Sequence, residues 1–512
     1  MRASTSSKNS RRSDALVPVL LCFVASAAVM AAAAAFFYHS GGTLAYGDAE
    51  AHLNIARRVI DSRTPGWFQL GTTWLPLPHL LLIPLVRFDS LWQSGLAGAI
   101  VSGAAMSLAA AFLFAAVQRL FANTAASTAA VAVFLLNPNT LYLGSIPMTE
   151  PIFFASLFAL LYFTVRFSAT QGWGALLGAS LAALAGTLTR YEAWLLLPFV
   201  AAFVLVTARR HRWLAVTLFC FIAGAGPALW LAHNRWYYSD ALYFYRGPWS
   251  ALAIQGSGNY PGRGDWRAAV HFYFAAGQLI AGLPALLLGA IGVIVALIRG
   301  AAWPVLLLAL PPVFYIWSVH SSGTPIYVPT LVPNSFYNIR YALALVPLIA
   351  LGTAAAAHRM PHAAAFVLIV LALSNFLIHP AERPITWQEA DANSRARRQW
   401  ISAAADFLRA AAGPNETYFT GFGDLTAIYR TLGIPLRDTL TGDNEVAWYE
   451  AVSRPDLFLH TDWAIVMGGD DAQTVIDKAR LHGPRYELSR RITVKGAPAI
   501  EIYRRLYENP VQ

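Results

Sequence analysis

Charge is scarce in this chain. Of its 512 residues only 12% are Asp, Glu, Lys or Arg, where an ordinary soluble domain carries roughly a quarter, and that excludes a soluble globular class for most of the length. Cysteine is scarcer. Cys22 and Cys220 are the two present, each inside an apolar run, which rules out a disulfide framework and a thiolate metal site and leaves the redox compartment open. A basic stripe is missing as well. The formal net charge is +10, but Lys and Arg fall in short clusters between apolar runs, as in cytoplasmic loops, so no nucleic-acid partner is expected. No repeat of fixed period is visible, and neither a solenoid nor an inverted-repeat transporter gains support.

What the chain has is apolar length. Hydrophobic residues make up 57% and mean hydropathy is positive, the composition of an α-helical polytopic membrane protein. A span across a ~30 Å hydrocarbon core needs about 20 apolar residues, and about eleven runs approach that length. They lie near 16–38, 93–118, 125–143, 151–167, 174–189, 193–208, 213–232, 275–298, 302–319, 341–357 and 363–379. Alternate connections carry Arg119, Arg166, the cluster ARRHRW, Arg299 and HRMPH, and the N-terminal tail (1–15) adds Arg2, Lys8, Arg11 and Arg12. The positive-inside rule then predicts a multi-pass protein of the plasma or inner membrane, with a cytoplasmic N-terminus and an extracytoplasmic C-terminus. The first run exceeds the 7–15 residues of a signal-peptide core, so an uncleaved first span is expected.

Hydropathy falls near Pro380. This divides the chain into a transmembrane domain (16–380) and a soluble segment (381–512) on the outer side. In the latter, TYFTGF and DWAIVMG read as buried strands, AQTVIDKARLHG as a helix and RRITVKGAPAIEIYRR as a hairpin, together a small α/β domain. The GGDD that precedes the helix reads as a turn and N-cap, with no chemistry assigned. Three outer connections, 39–92, 233–274 and 320–340, hold most of the polar chemistry.

In the first of these, AYGDAEAHLNIARRV predicts a helix from about Ala49 whose polar face carries Glu50, Asn54, Arg57, Arg58 and Asp61. Asp48 is either its N-cap or a functional acid. His52 and, in GTTWLPLPHLLLIPLV, His79 add imidazoles, with an interfacial tip as the plain alternative for His79. SIPMTEPIFF sets Glu150 at a helix start, where the macrodipole alone favours an acid. LAGTLTRYEAWLLLP places Arg190 and Glu192 at the next mouth, where they could simply pair. NSFYNIRYALALVP places Asn338, Arg340 and Tyr341 at another, where snorkelling and an aromatic belt would also serve. Carboxylates and guanidiniums gathered at a membrane mouth suit one chemistry well: a carboxylate deprotonates an acceptor while Arg neutralises a departing phosphate.

The succession YGDAEAHLNIARRV, MTEP, LTRYEAWLLLP and NIRYALALVPLIAL resembles the membrane-embedded GT-C glycosyltransferases, in the branch of aminoarabinose transferases and protein O-mannosyltransferases. The resemblance covers roughly residues 14–380. It implies sugar transfer from a polyprenyl- or dolichyl-phosphate carrier to a lipid, glycan or protein acceptor at the outer membrane face, with inversion at the sugar. Asp48 matches the family's general base and Glu150 its second acid. Arg190, Arg340 and Tyr341 match its donor-phosphate side; Glu50, His52, His79, Glu192 and Asn338, which the resemblance does not assign, are further candidates for substrate binding. A divalent cation (Mg or Mn) between Asp48 and Glu150 stays open. The chain departs from the pattern in reading Asp-Ala-Glu in place of Asp-Glu, which turns Glu50 toward Arg57 or Arg58, and in having no lysine in WLPLPHLL. The alternative is a multi-pass transporter or lipid flippase whose outer acids and arginines form a gate.

Overall fold

The computed structural model describes residues 4–255, 258–421 and 423–507. Arg2, the side chains of Lys8, Arg11 and Arg12, residues 256–257 of the second connection and residues 508–512 lie outside that description. The chain forms two compact units. The first comprises Met1–Gly42, Thr72–Pro78 and Ala99–Glu389, and the second Thr43–Gly71, His79–Gly98 and Ala390–Gln512.

The first unit is helical, and every one of the eleven apolar runs folds as a helix or a broken pair of helices. Among the described residues six helices are long and apolar enough to cross a membrane: Leu16–His39, Leu96–Phe121, Glu150–Thr170, Arg212–Tyr238, Ala302–Ser321 and Ile339–Ala357. Trp266–Ala281 and Leu283–Ile298 would add a seventh as one span, but they bend by 106° where Gly282, at φ +81°, ends the first of them. Thr124–Leu135, Trp173–Thr187, Glu192–Thr207 and His362–Ile378 are shorter. At 1.5 Å rise per residue they fall short of a ~30 Å core. By length, then, six or seven of the eleven expected spans qualify. Of the rest, the 125–143 run is broken at Asn137-Pro138, where the Asn137 side chain accepts from the Asn139 amide and starts a new helix, and the other three helices nearly fill runs that are themselves shorter than a full span. Leu283–Ile298 and Val346–Ala357 pack at backbone contact: a Cβ on Gly292 would sit 1.9 Å from the Gly352 carbonyl oxygen, the small-residue approach that membrane helices favour.

The second unit joins the first connection to the C-terminal residues. Its five-stranded sheet has the order β2-β1-β3-β5-β4, from β1 (Tyr418–Thr420), β2 (Thr439–Leu440), β3 (Trp463–Met467), β4 (Tyr486–Ile492) and β5 (Ile500–Arg505). β1 runs parallel to β2 and β3, and β5 is antiparallel to β3 and β4. The expected strands, helix (Asp471–His482) and hairpin are all present. The two-residue β2 is too short to leave a periodic signal. Phe419, Ala464, Val466, Val475, Ile476 and Tyr503 share one buried cluster. Asp470 accepts from the Gln473 amide at 2.8 Å, so the GGDD segment is a turn and N-cap.

Candidate active site

The ten residues singled out by the sequence divide between the units: Glu150, Arg190, Glu192, Asn338, Arg340 and Tyr341 in the first, Asp48, Glu50, His52 and His79 in the second.

In the first unit five of the six converge. Glu150 opens the Glu150–Thr170 helix with Pro151 in its first turn, and Glu192 opens the Glu192–Thr207 helix; both acids therefore face the positive end of a helix. Arg190, in the short turn before Glu192, is the hub. Its Nε donates to Glu192 Oε1 at 2.5 Å, one Nη donates to Thr149 Oγ1 at 2.6 Å and lies 3.0 Å from Glu150 Oε1, and the other Nη donates to the Tyr315 hydroxyl at 2.6 Å. Tyr315 in turn donates to Glu192 Oε1 at 2.5 Å. Arg340 approaches from the Ile339–Leu345 turn, its Nε 3.5 Å from Glu150 Oε1. Tyr341 stacks on Tyr315 with centroids 4.7 Å apart, and both guanidiniums lie over its ring, at 5.8 Å for Arg190 and 5.6 Å for Arg340. Two cations and two carboxylates buried together leave this group neutral as it stands. Asn338 acts on the backbone instead: at φ +55° it turns the chain into Arg340, and its side-chain amide donates to the Pro325 carbonyl at 2.9 Å.

Two participants were not legible in the sequence. Tyr315 lies within an apolar run, where a Tyr reads as packing; the one hint is its hydroxyl, which an apolar span leaves in need of a partner. Glu389 lies just past the hydropathy drop, where acids are ordinary, yet its Oε2 accepts the Ile339 amide at 3.0 Å and it is only 3% exposed.

In the second unit the helix begins at Gly47, two residues earlier than the spacing suggested, with Tyr46 as the capping residue and no side-chain cap. Asp48 thus sits inside the first turn and is not the N-cap. The polar face of this helix is buried: Glu50, His52, Asn54 and Arg57 are each under 8% exposed. Glu50 pairs with Arg430 at 2.6 Å and Arg397 at 3.5 Å, not with Arg57 or Arg58. Those two turn elsewhere, Arg57 to Asp61 and Asp89 and Arg58 to Asp443. Residues about 350 to 380 positions downstream, absent from any local pattern, supply the partners of Glu50. Arg397 also donates to the Ala45 carbonyl at 3.2 Å and passes so close to Gly47 that a Cβ there would lie 2.6 Å from its Nη1.

His52 Nδ1 and His79 Nε2 are 2.9 Å apart, and His79 is fully buried with no hydrogen bond to its Nδ1 among the described residues. The two imidazoles thus share one hydrogen bond, with one ring donating and the other accepting according to their tautomers. Burial holds the His79 imidazole well below its usual pKa, helped by His52 and Arg58.

Among the described residues no three His, Cys, Asp or Glu side chains gather where they could hold a metal ion. Glu150, flanked by two guanidiniums at 3.0 and 3.5 Å, is already neutralised and makes a poor ligand for Mg or Mn.

Residues 90–236 match the family described as dolichyl-phosphate-mannose-protein mannosyltransferase, which has the GT-C fold, in agreement with the resemblance drawn from the motifs. The matched stretch is less than a third of the chain and includes Glu150, Arg190 and Glu192. It supports a glycosyltransferase of the mannosyltransferase type. No curated protein matches the chain.

Proposed function

We propose that this protein is a glycosyltransferase that moves a sugar from a polyprenyl- or dolichyl-phosphate carrier to a lipid, glycan or protein acceptor at the outer membrane face. The observation that carries the reading is the Glu150–Arg190–Glu192–Arg340 cluster, built at helix mouths and lying largely within the matched stretch. Such a prearranged set of guanidiniums stabilises charge where it develops, on the departing phosphate.

In the proposed reaction Asp48 accepts the proton of an acceptor hydroxyl or amine. The acceptor's electron pair forms a bond to the anomeric carbon as the bond from that carbon to the phosphate oxygen breaks. The phosphate leaves with the electron pair, opposite Arg190 and Arg340, and the sugar is inverted. Tyr341 and Tyr315 hold the guanidinium planes by stacking and hydrogen bonding.

The test is transfer by purified protein in lipid, with polyprenyl-phosphate mannose and related donors and cell-envelope extracts as acceptors. Asp48→Asn is expected to lower turnover by about 10²- to 10⁴-fold, the usual worth of a positioned base, with donor KM little changed. Full activity in Asp48→Asn would remove Asp48 as base. Absence of transfer with every such donor, alongside transport of the lipid, would replace the reading with the flippase alternative.

A further inference from the structure

The inference rests on the reading of Arg190 and Arg340 as the phosphate side of the site, and it concerns a carboxyl outside both the family match and the motifs. The first turn of the Ile385–Ala411 helix is fixed firmly. The Thr386 amide and hydroxyl both donate to Asn139 Oδ1, at 3.1 and 2.9 Å, while Asn139 Nδ2 donates to the Ile280 carbonyl at 3.1 Å. Trp387 packs against Phe37 and Tyr142 with centroids 5.3 and 5.9 Å apart. This rigid start presents Glu389 to the turn that carries Arg340. The Ile339 amide donates to Glu389 Oε2 at 3.0 Å, and the Asn338 and Arg340 amides also turn toward the carboxylate. The left-handed Asn338 followed by a helical turn makes the concave run of amides that suits an anion.

We propose that Glu389 is a positioning residue for donor binding: it holds the Asn338–Arg340 turn in place, and its own charge opposes the donor phosphate, so that donor affinity is coupled to proton uptake at this carboxyl.

The charges in the first unit give the reason. Arg190 and Arg340 are matched by Glu150 and Glu192. An ionised Glu389 adds a third negative charge against two positive ones, and a phosphodiester would add a fourth. A protonated Glu389 removes one of these while its carbonyl oxygen still accepts the Ile339 amide. Burial pushes this carboxyl up to about 7, against the opposite pull of Arg340 and the three amides, so the two forms exchange in the neutral range. The charged side chain facing Glu389 across the contact is Arg340, with Glu150 and Arg190 beyond it.

The experiment measures donor KM and kcat between pH 6 and 8.5 for the wild type, Glu389→Gln and Glu389→Ala, with equilibrium binding of polyprenyl phosphate as a second readout. The wild type is expected to lose donor affinity by about fivefold or more as pH rises through 7, the low end of ordinary coupling between sites. Glu389→Gln keeps the acceptor for Ile339 and carries no charge; it is expected to bind donor tightly at every pH, with a donor KM that no longer rises through neutrality. Glu389→Ala is expected to weaken binding at all pH values because the turn loses its anchor. Identical pH profiles in the wild type and Glu389→Gln would overturn the proposal. If Glu389→Gln fails to fold, the wild-type binding curve decides, and a flat curve across pH 7 overturns it. Transfer without this pH dependence refutes the role of Glu389 alone, whereas absence of both transfer and lipid-phosphate binding refutes the glycosyltransferase reading.

Discussion

His79 and Glu389 are both buried titratable groups, and they move stability in opposite directions as pH changes. The folded state keeps His79 neutral below its ordinary pKa of about 6.5, so the unfolded chain binds the extra proton first and stability falls as pH drops below that value. Glu389 does the reverse. Its folded pKa of about 7 lies above the unfolded value of roughly 4.3, so its contribution is fully present at low pH and is lost as pH rises from near 4.3 through 7. Unfolding midpoints in detergent from pH 4.5 to 8 are expected to carry both contributions, which oppose one another below about pH 6.5 and are separated by the single variants. His79→Gln should flatten the loss below about pH 6.5, and Glu389→Gln the loss approaching neutrality. An acid limb unchanged in His79→Gln would show that the imidazole is exposed to protons in the folded state.

At the scale of the element, the Gly47–Arg58 helix is held by ion pairs on its polar face. Breaking a buried pair from one side leaves an uncompensated charge, at a cost of about 3–5 kcal/mol. Glu50→Gln and Arg430→Gln are each expected to destabilise on that order, and the double variant by less than their sum, because both act on one contact. Chemical unfolding monitored on the purified variants gives the cycle, and strict additivity would show that the pair is not coupled. Gly47 tests the Arg397 contact independently. Gly→Ala in a helix usually gains about 0.5–1 kcal/mol, but here the methyl would meet Arg397 Nη1. Gly47→Ala should therefore destabilise the wild type and stabilise an Arg397→Ala background.

For the whole molecule, the distribution of Arg among the connections makes a topological prediction. The two native cysteines, Cys22 and Cys220, both lie within apolar helices, where a membrane-impermeant thiol reagent does not reach them. Pro414→Cys, in an exposed turn, is expected to label in intact cells or spheroplasts, and Arg210→Cys, in the exposed basic connection, only after permeabilisation. The opposite pattern would invert the assignment of the outer face and, with it, the side on which the proposed transfer occurs.

Hydropathy and charge are sums over neighbours in the chain. For that reason the membrane class, the helical runs, the change of character near Pro380 and the acids and arginines at helix ends could all be read directly from the order of residues. Helix length was less legible, since apolar composition continues across breaks such as Asn137-Pro138 that end the hydrogen-bonded ladder. Partners were the least legible. Glu50 meets Arg430 from 380 positions away, Arg190 meets Tyr315 from 125, and Ile339 meets Glu389 from 50. A charge in low dielectric must find a partner wherever packing brings one, and the local sequence carries no record of which one that is. The sequence by itself determined which residues had to be satisfied; only the folded chain decided that Glu50 serves the architecture, that Arg190 is a hub, and that Glu389 stands behind Arg340.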